Sequence, residues 1–187
     1  TCSRESVGAV GDEMIENPRV KAVSFTGSTA VGRHIAAKAG AHLKKACVEL
    51  GGKDSMIVLE DADIDAAARA ANFGSFMHQG QVCMSTEKLL VHEKVYDEFM
   101  QKFLARAAKL RTGHTNDKEN VIGPLVNNRQ ALRVKALIDD AVAKGASVLL
   151  GGKSWDNFVE PTVLADVNES MDIWHDETFG PVVIVKR

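Results

Sequence analysis

Among the residues of this chain that can do covalent chemistry, Cys83 has the most suggestive surroundings. It lies in Gln79-Gly80-Gln81-Val82-Cys83-Met84-Ser85, a polar, irregular stretch in which a thiol need not be buried. A free thiol of pKa about 8.5 is roughly 3% thiolate at neutral pH and is nucleophilic without a triad. The alternative is a buried structural cysteine, which is how Cys2 and Cys47 are read. Cys47 alternates with Val48, so one of the two faces a core. A second group is Glu49 in Val48-Glu49-Leu50-Gly51-Gly52-Lys53, at the end of a strand and before a turn. Strand ends are where α/β proteins build sites, and partial burial there suits a carboxylate to general-base work. The alternative is a surface salt-bridge partner. A third segment, Phe25-Thr26-Gly27-Ser28, sits where a strand passes into a helix. The amides and dipole of a helix start can hold a phosphate without a lysine, and Gly27 lets backbone approach a ligand. The alternative is an ordinary turn with a serine cap.

Other chemistry fails on inspection. Gly27–Gly32 has the spacing of a phosphate loop, but Arg33 stands where lysine is required. Gly151-Gly152-Lys153-Ser154 ends like such a loop, but Ser147 replaces its first glycine. The six histidines form no HExxH and no paired metal spacing, so no metal site is expected. Three cysteines without a CxxC argue against a disulfide scaffold or zinc ribbon and for a reducing, cytoplasmic setting. A net charge of −2 gives little field to attract nucleic acid or an anionic membrane. The longest apolar runs, such as Val182–Val185, fall far short of the roughly 20 residues of a spanning helix.

The elements that must position these groups alternate. Helices are expected at Val7–Glu16 (closed by Asn17-Pro18), Ser28–Ala39 (stopped by Gly40), Asp61–Phe76, Lys94–Leu110 and Asn128 to Lys144 (stopped by Gly145). Strands are expected at Val20–Phe25, Lys45–Leu50, Met56–Leu59, Leu89–His92 and Ser147–Leu150, after Pro161, and from Pro181 onward. That alternation predicts an α/β fold with parallel strands. With 187 residues, one domain or two small ones are expected. The break falls near Gly51-Gly52: residues 1–50 read as the tail of a nucleotide-binding sheet, and 51–187 as a longer α/β unit. A start at Thr1 and an end just after an apolar strand lead us to expect a piece of a longer protein.

Taken together, Phe25-Thr26-Gly27-Ser28, Glu49-Leu50-Gly51-Gly52-Lys53, Gly80-Gln81-Val82-Cys83 and Glu177-Thr178-Phe179-Gly180-Pro181 occur in the order and rough spacing of the NAD(P)-dependent aldehyde dehydrogenases, which the chain resembles from about Gly8 to its end. The resemblance implies the end of a Rossmann-like cofactor domain followed by most of an α/β catalytic domain with a largely parallel sheet. It implies that Cys83 is the nucleophile and Glu49 the general base. Gly27 and Ser28 would meet the cofactor pyrophosphate, and Leu50 and Gly51 would line the nicotinamide pocket. Glu177 would hold the nicotinamide ribose, Phe179 would pack beside the nicotinamide, and Gln130 would be a second ribose contact. NAD is favoured over NADP, and a homodimer or homotetramer is implied for the whole protein. Phe73–Thr86 is similar to enzymes of aromatic aldehydes such as vanillin and salicylaldehyde, with Phe76, Met77 and Met84 either lining a ring pocket or packing in the core. The 187 residues alone are expected to be nearly inactive. Two other readings compete: a non-catalytic scaffold or oligomerisation fragment, and a cofactor-independent cysteine hydrolase pairing Cys83 with His78 or His92.

Overall fold

Proline disfavours helix in the residue before it, and the first helix stops accordingly: α1 spans Val7–Glu16, just ahead of Asn17-Pro18. The structure is a computed structural model that describes residues 6–187, so Cys2 lies outside the described residues. The chain divides into two units, Thr1–Gly51 and Gly52–Arg187.

In the first unit, β1 (Ala22–Thr26) and β2 (Lys45–Glu49) pair in parallel from Ala22↔Lys45 to Thr26↔Glu49. The crossover is α2 (Thr29–Ala41), whose N-cap is Ser28, its Oγ accepting from the Val31 amide at 3.4 Å. Gly40 does not stop this helix. The backbone continues to Ala41, and Leu43 takes the left-handed turn (φ 53°), with its amide on the Gly40 carbonyl and that of Lys44 on Ala39. A glycine inside a helix costs only about 1 kcal/mol, so one such residue need not end it. Downstream the Lys44 ammonium is held by the carbonyls of Ile15 and Asn17. Cys47 is also corrected: it is exposed, and its neighbour Val48 is the half-buried one.

The second unit runs β3 (Ser55–Val58), α3 (Ile64–Phe76), a 3₁₀ turn (Met77–Gly80), β4 (Lys88–Val91), α4 (Tyr96–Ala107), β5 (Arg111–Thr112), β6 (Asn120–Ile122), α5 (Asn128–Ala143), β7 (Ser147–Leu150), β8 (Ser154–Trp155), β9 (Phe158–Val159), β10 (Thr162–Ala165), α6 (Asp172–His175) and β11 (Val182–Lys186). Five strands form one sheet in the order β3-β4-β11-β10-β7. Its first four strands are parallel, and β7 is antiparallel to β10. This is the largely parallel α/β sheet that the alternation predicted.

The strand β11 shows why the sheet needs cover on both faces. Val183 and Val185 pack with α3 and α4, and Val182 and Ile184 with α5. On the first face the Phe103 ring stacks between those of Phe76 and Phe99, at centroid separations of 6.2 Å and 5.7 Å respectively. Two of the caps match their residues: Asp63 accepts from the Ala66 amide at 3.0 Å, and Gly145 (φ 103°) closes α5. No helix among the described residues is long and apolar enough to cross a membrane.

Candidate active site

The Cys83 segment is shaped by backbone that few sequences tolerate. After α3, His78, Gln79 and Gly80 are all left-handed, at φ 49°, 59° and 66°. Strain of this kind persists only where the surroundings impose it. At the end of this run Gly80 has no room for a side chain, because any Cβ would run into the Gly180 carbonyl. The Gly-Gln-Val-Cys and Phe-Gly-Pro segments therefore touch backbone to backbone. Gln81 accepts from the Val126 amide at 2.8 Å. A turn then carries Cys83, closed by Ser85 N–H to the Val82 carbonyl at 3.0 Å. Ser85 Oγ and the Thr86 amide both donate to the Gly74 carbonyl, tying the turn back to α3. Cys83 is a free, exposed thiol. No hydrogen bond joins it to His78 or His92 among the described residues, and His92 Nδ1 accepts from the Lys94 amide at 3.3 Å.

The segment Glu177–Gly180 is held from two sides. Gln130 Nε2 donates to the carbonyls of Thr178 (3.2 Å) and Phe179 (2.9 Å), and Arg133 to those of Thr178 (3.0 Å) and Glu177 (2.6 Å). On the other side the buried Glu87 carboxylate accepts from the Thr178 amide through both oxygens at 2.9 Å and from the Phe179 amide at 3.0 Å. Lys53 Nζ lies 2.7 Å from Glu87 and donates to Thr178 Oγ1 at 2.8 Å. Burial lowers the Lys53 pKa from its ordinary value, and the Glu87 charge opposes that shift. Burial raises the Glu177 pKa, and the nearby Glu87 charge adds to the rise. Phe179 is half-buried and left-handed, at φ 51°.

The first unit gathers the remaining candidates at one end of its strand pair. The Gly27 amide donates to the Glu49 carbonyl at 3.1 Å, so the strand-to-helix turn and the end of β2 are neighbours. The Leu50 side chain lies against Gly32 of α2. Glu49 is exposed and forms no ion pair among the described residues, so neither the expected partial burial nor a salt bridge is found. Gly51 follows directly and is exposed.

The second unit thus brings together Cys83, Gln130, Glu177 and Phe179, and the first unit brings together Gly27, Ser28, Glu49 and Leu50. A dinucleotide fits what each presents. The start of α2 offers the amides of Thr29 and Ala30, which precede its first intrahelical bond. Glu177 is a half-buried carboxylate two residues before Phe179, suited to receiving hydroxyl donors. Gln130 was read only as a ligand contact, but its amide nitrogen is committed to the loop. Of the two alternatives for Phe76, both are partly met: its ring is buried against Phe103, and it also contributes to the wall of a groove. Met84 is exposed, and Met77 and Phe73 line a groove of about 550 Å³ with His78 and Leu110. Sequence reasoning missed Glu87 and Arg133. Glu87 has no local signal, because its partners lie 34 and 91 residues away.

Comparison with known proteins supplies the wider frame. Residues 5–187 match the sequence profile of the aldehyde dehydrogenase family. A vanillin dehydrogenase of Pseudomonas fluorescens is 48% identical over 176 residues, which are 94% of this chain and 36% of that protein. A salicylaldehyde dehydrogenase of Pseudomonas putida is 46% identical over 181 residues, 95% of this chain and 37% of that protein. The crystal structure of a salicylaldehyde dehydrogenase from Pseudomonas putida G7 complexed with salicylaldehyde superposes with a TM-score of 0.95 at 44% identity, over 99% of this chain and 38% of that one. A betaine aldehyde dehydrogenase from Staphylococcus aureus in complex with NAD+ superposes at 0.88 and 36% identity, over 94% of this chain and 36% of that one. The chain spans a little over a third of the length of the curated relatives it matches.

Proposed function

The chain belongs to the aldehyde dehydrogenase family, and on that premise we propose that the protein oxidises an aldehyde, by preference an aromatic one, to its carboxylic acid with NAD(P), NAD before NADP, as electron acceptor. The observation that carries this reading is the exposed Cys83 thiol on a turn whose backbone is locked against the segment bearing Glu177 and Phe179.

An aldehyde has no leaving group, and its planar carbon is a poor donor of its hydrogen. The Cys83 thiolate adds to the carbonyl and makes a tetrahedral thiohemiacetal. The Cys83 amide stabilises the oxyanion, a contribution of about 3 kcal/mol for such a donor. Loss of a hydride from this adduct leaves a thioester, and NAD(P), when bound, would supply the two-electron acceptor for that hydride. Glu49 takes a proton from the water that hydrolyses the thioester, regenerating the thiol and releasing the acid. When the cofactor is bound, Gly27, Ser28 and the start of α2 would hold its pyrophosphate, Leu50 and Gly51 would border the nicotinamide, Glu177 would accept from the ribose and Phe179 would pack beside the nicotinamide. Gln130 acts through the loop it braces.

The aromatic preference draws support from the vanillin and salicylaldehyde relatives and from the groove lined by Phe73 and Met77, six and more residues ahead of Cys83. The protein works in the cytoplasm as a homodimer or homotetramer, without nucleic acid or membrane as a partner; the absence of a CxxC and the small net charge support the setting. Initial rates on the intact protein, read from the near-ultraviolet absorbance of reduced cofactor, test the reading. A kcat/KM for benzaldehyde-type substrates at least about tenfold above that for acetaldehyde is expected, since a ring buries several methylene equivalents. Preference for acetaldehyde overturns the substrate class, and no turnover with any aldehyde and either cofactor overturns the activity.

A further inference from the structure

Glu87 takes no part in the chemistry, yet it is the one charged residue buried outright among the described residues, at 4% exposure. Burying a carboxylate is unfavourable unless its lone pairs are fully engaged. Here they are engaged by two successive backbone amides, those of Thr178 and Phe179, and by the Lys53 ammonium. The carboxylate also stands on rigid backbone: the Glu87 amide donates to Asp54 and its carbonyl accepts from Ile184 of β11. Gln130 and Arg133 grip the carbonyls of the same segment, and Glu87 grips its amides. Peptide planes bonded on both sides cannot rotate. The left-handed Phe179 and the Glu177 beside it are therefore set by a carboxylate four residues after Cys83 in the chain.

We propose that Glu87 is a positioning residue for the cofactor: its carboxylate, braced by Lys53, fixes the backbone of Thr178 and Phe179 and so aims Glu177 and Phe179 at the nicotinamide end of NAD(P). The proposal rests on the dehydrogenase reading above. It differs from a merely structural role in what should recover when the orphaned charge is removed.

The test compares Glu87→Gln with Glu87→Gln/Lys53→Met in the intact protein, by calorimetric titration with NAD and NADP, thermal melting and the rate of Cys83 alkylation by iodoacetamide. Glu87→Gln weakens cofactor binding by about tenfold or more and raises the KM for cofactor but not for aldehyde. It also lowers the melting midpoint, because Lys53 is left without its counter-charge. Alkylation of Cys83 stays within about twofold of the wild-type rate. The double variant removes the stranded ammonium, so the midpoint recovers while cofactor affinity stays low. Unchanged affinity in Glu87→Gln, or recovery of both quantities in the double variant, overturns the proposal. Should Glu87→Gln not fold, the double variant alone decides, since wild-type affinity in it has the same consequence. A wild-type protein that binds neither dinucleotide instead refutes the underlying dehydrogenase reading, an outcome separate from a wild type that binds and a variant that binds equally well.

Discussion

The two units of this chain support their proposed chemical groups by different means. In Gly52–Arg187 a five-stranded sheet is covered on both faces, and Phe99, Phe103, Leu164 and Ile184 are all but inaccessible. In Thr1–Gly51 two short parallel strands and two helices bury outright only Ile15, Gly32 and Ala39 among the described residues. A two-stranded sheet is marginal by itself, and parallel strands ordinarily need both faces covered. So the proposed nucleophile stands on a unit whose own core dictates its loop, and the proposed base stands on one whose core dictates little. Precision in one group and latitude in the other suit a reaction in which the thiol must meet a fixed carbon while the carboxylate has only to reach a water.

The strongest way to break this contrast is at the two groups themselves. Cys83→Ala removes the bond-forming atom, and turnover should fall by at least about 10⁴-fold. Glu49→Gln should fall less, by about 10² to 10⁴, because it removes only proton transfer to water. Rapid mixing separates them further: the Glu49 variant should still release one equivalent of reduced cofactor per site in a burst and then stall as thioester. Loss of that burst would place Glu49 before thioester formation and end the division of labour.

Next in size is the difference in packing. Phe103→Ala should cost about 3–5 kcal/mol, because the ring is fully buried between Phe76 and Phe99. Ile15→Ala, in a unit with few buried neighbours, should cost at the low end of about 2–5 kcal/mol. Native-state hydrogen exchange sharpens the point: amides of β4 and β11 should exchange last and those of β1 and β2 well before them. Protection of β1 equal to that of β11 would show a core in the first unit that its burial pattern does not reveal.

The same contrast governs how much could be read from the sequence. Local signals served well in both units. Asn17-Pro18 fixed the end of α1, Ser28 and Asp63 capped their helices, and Gly145 closed α5, because each acts on backbone within a few residues. Gly40 misled because the true stop, Leu43, is set by Lys44 reaching back to the carbonyls of Ile15 and Asn17. Cys47 misled because strand alternation says that one side is covered but not which one. The pairs β5–β6 and β8–β9, each with a strand of two residues, carry no periodicity at all. Of the site, the residue types were legible as motifs, whereas the bracing was not. Glu87 looks like any polar residue entering a strand until Thr178, 91 positions later, is folded against it.

The smallest effect tests whether the rigid unit carries strain for a ligand. Burial, and then the Glu87 charge, raise the Glu177 pKa above its ordinary value of 4.5. The folded protein therefore holds that proton more tightly than the unfolded chain does. The resulting contribution to stability is present below the ordinary value and is lost as pH rises through the raised one. The charged form of the carboxylate is thus held at a cost, which hydroxyl donors from a ribose would offset. Cofactor affinity should rise with pH across that window. Glu177→Gln keeps an acceptor oxygen but cannot titrate, so the slope should flatten and the neutral-pH Kd should increase by only about threefold to tenfold. Thermal melts should show the same variant slightly more stable than wild type at neutral pH, since an amide is less costly to bury than a charge. A variant that loses stability at neutral pH would mean that Glu177 is already satisfied by its surroundings, with Gly52 the first partner to examine.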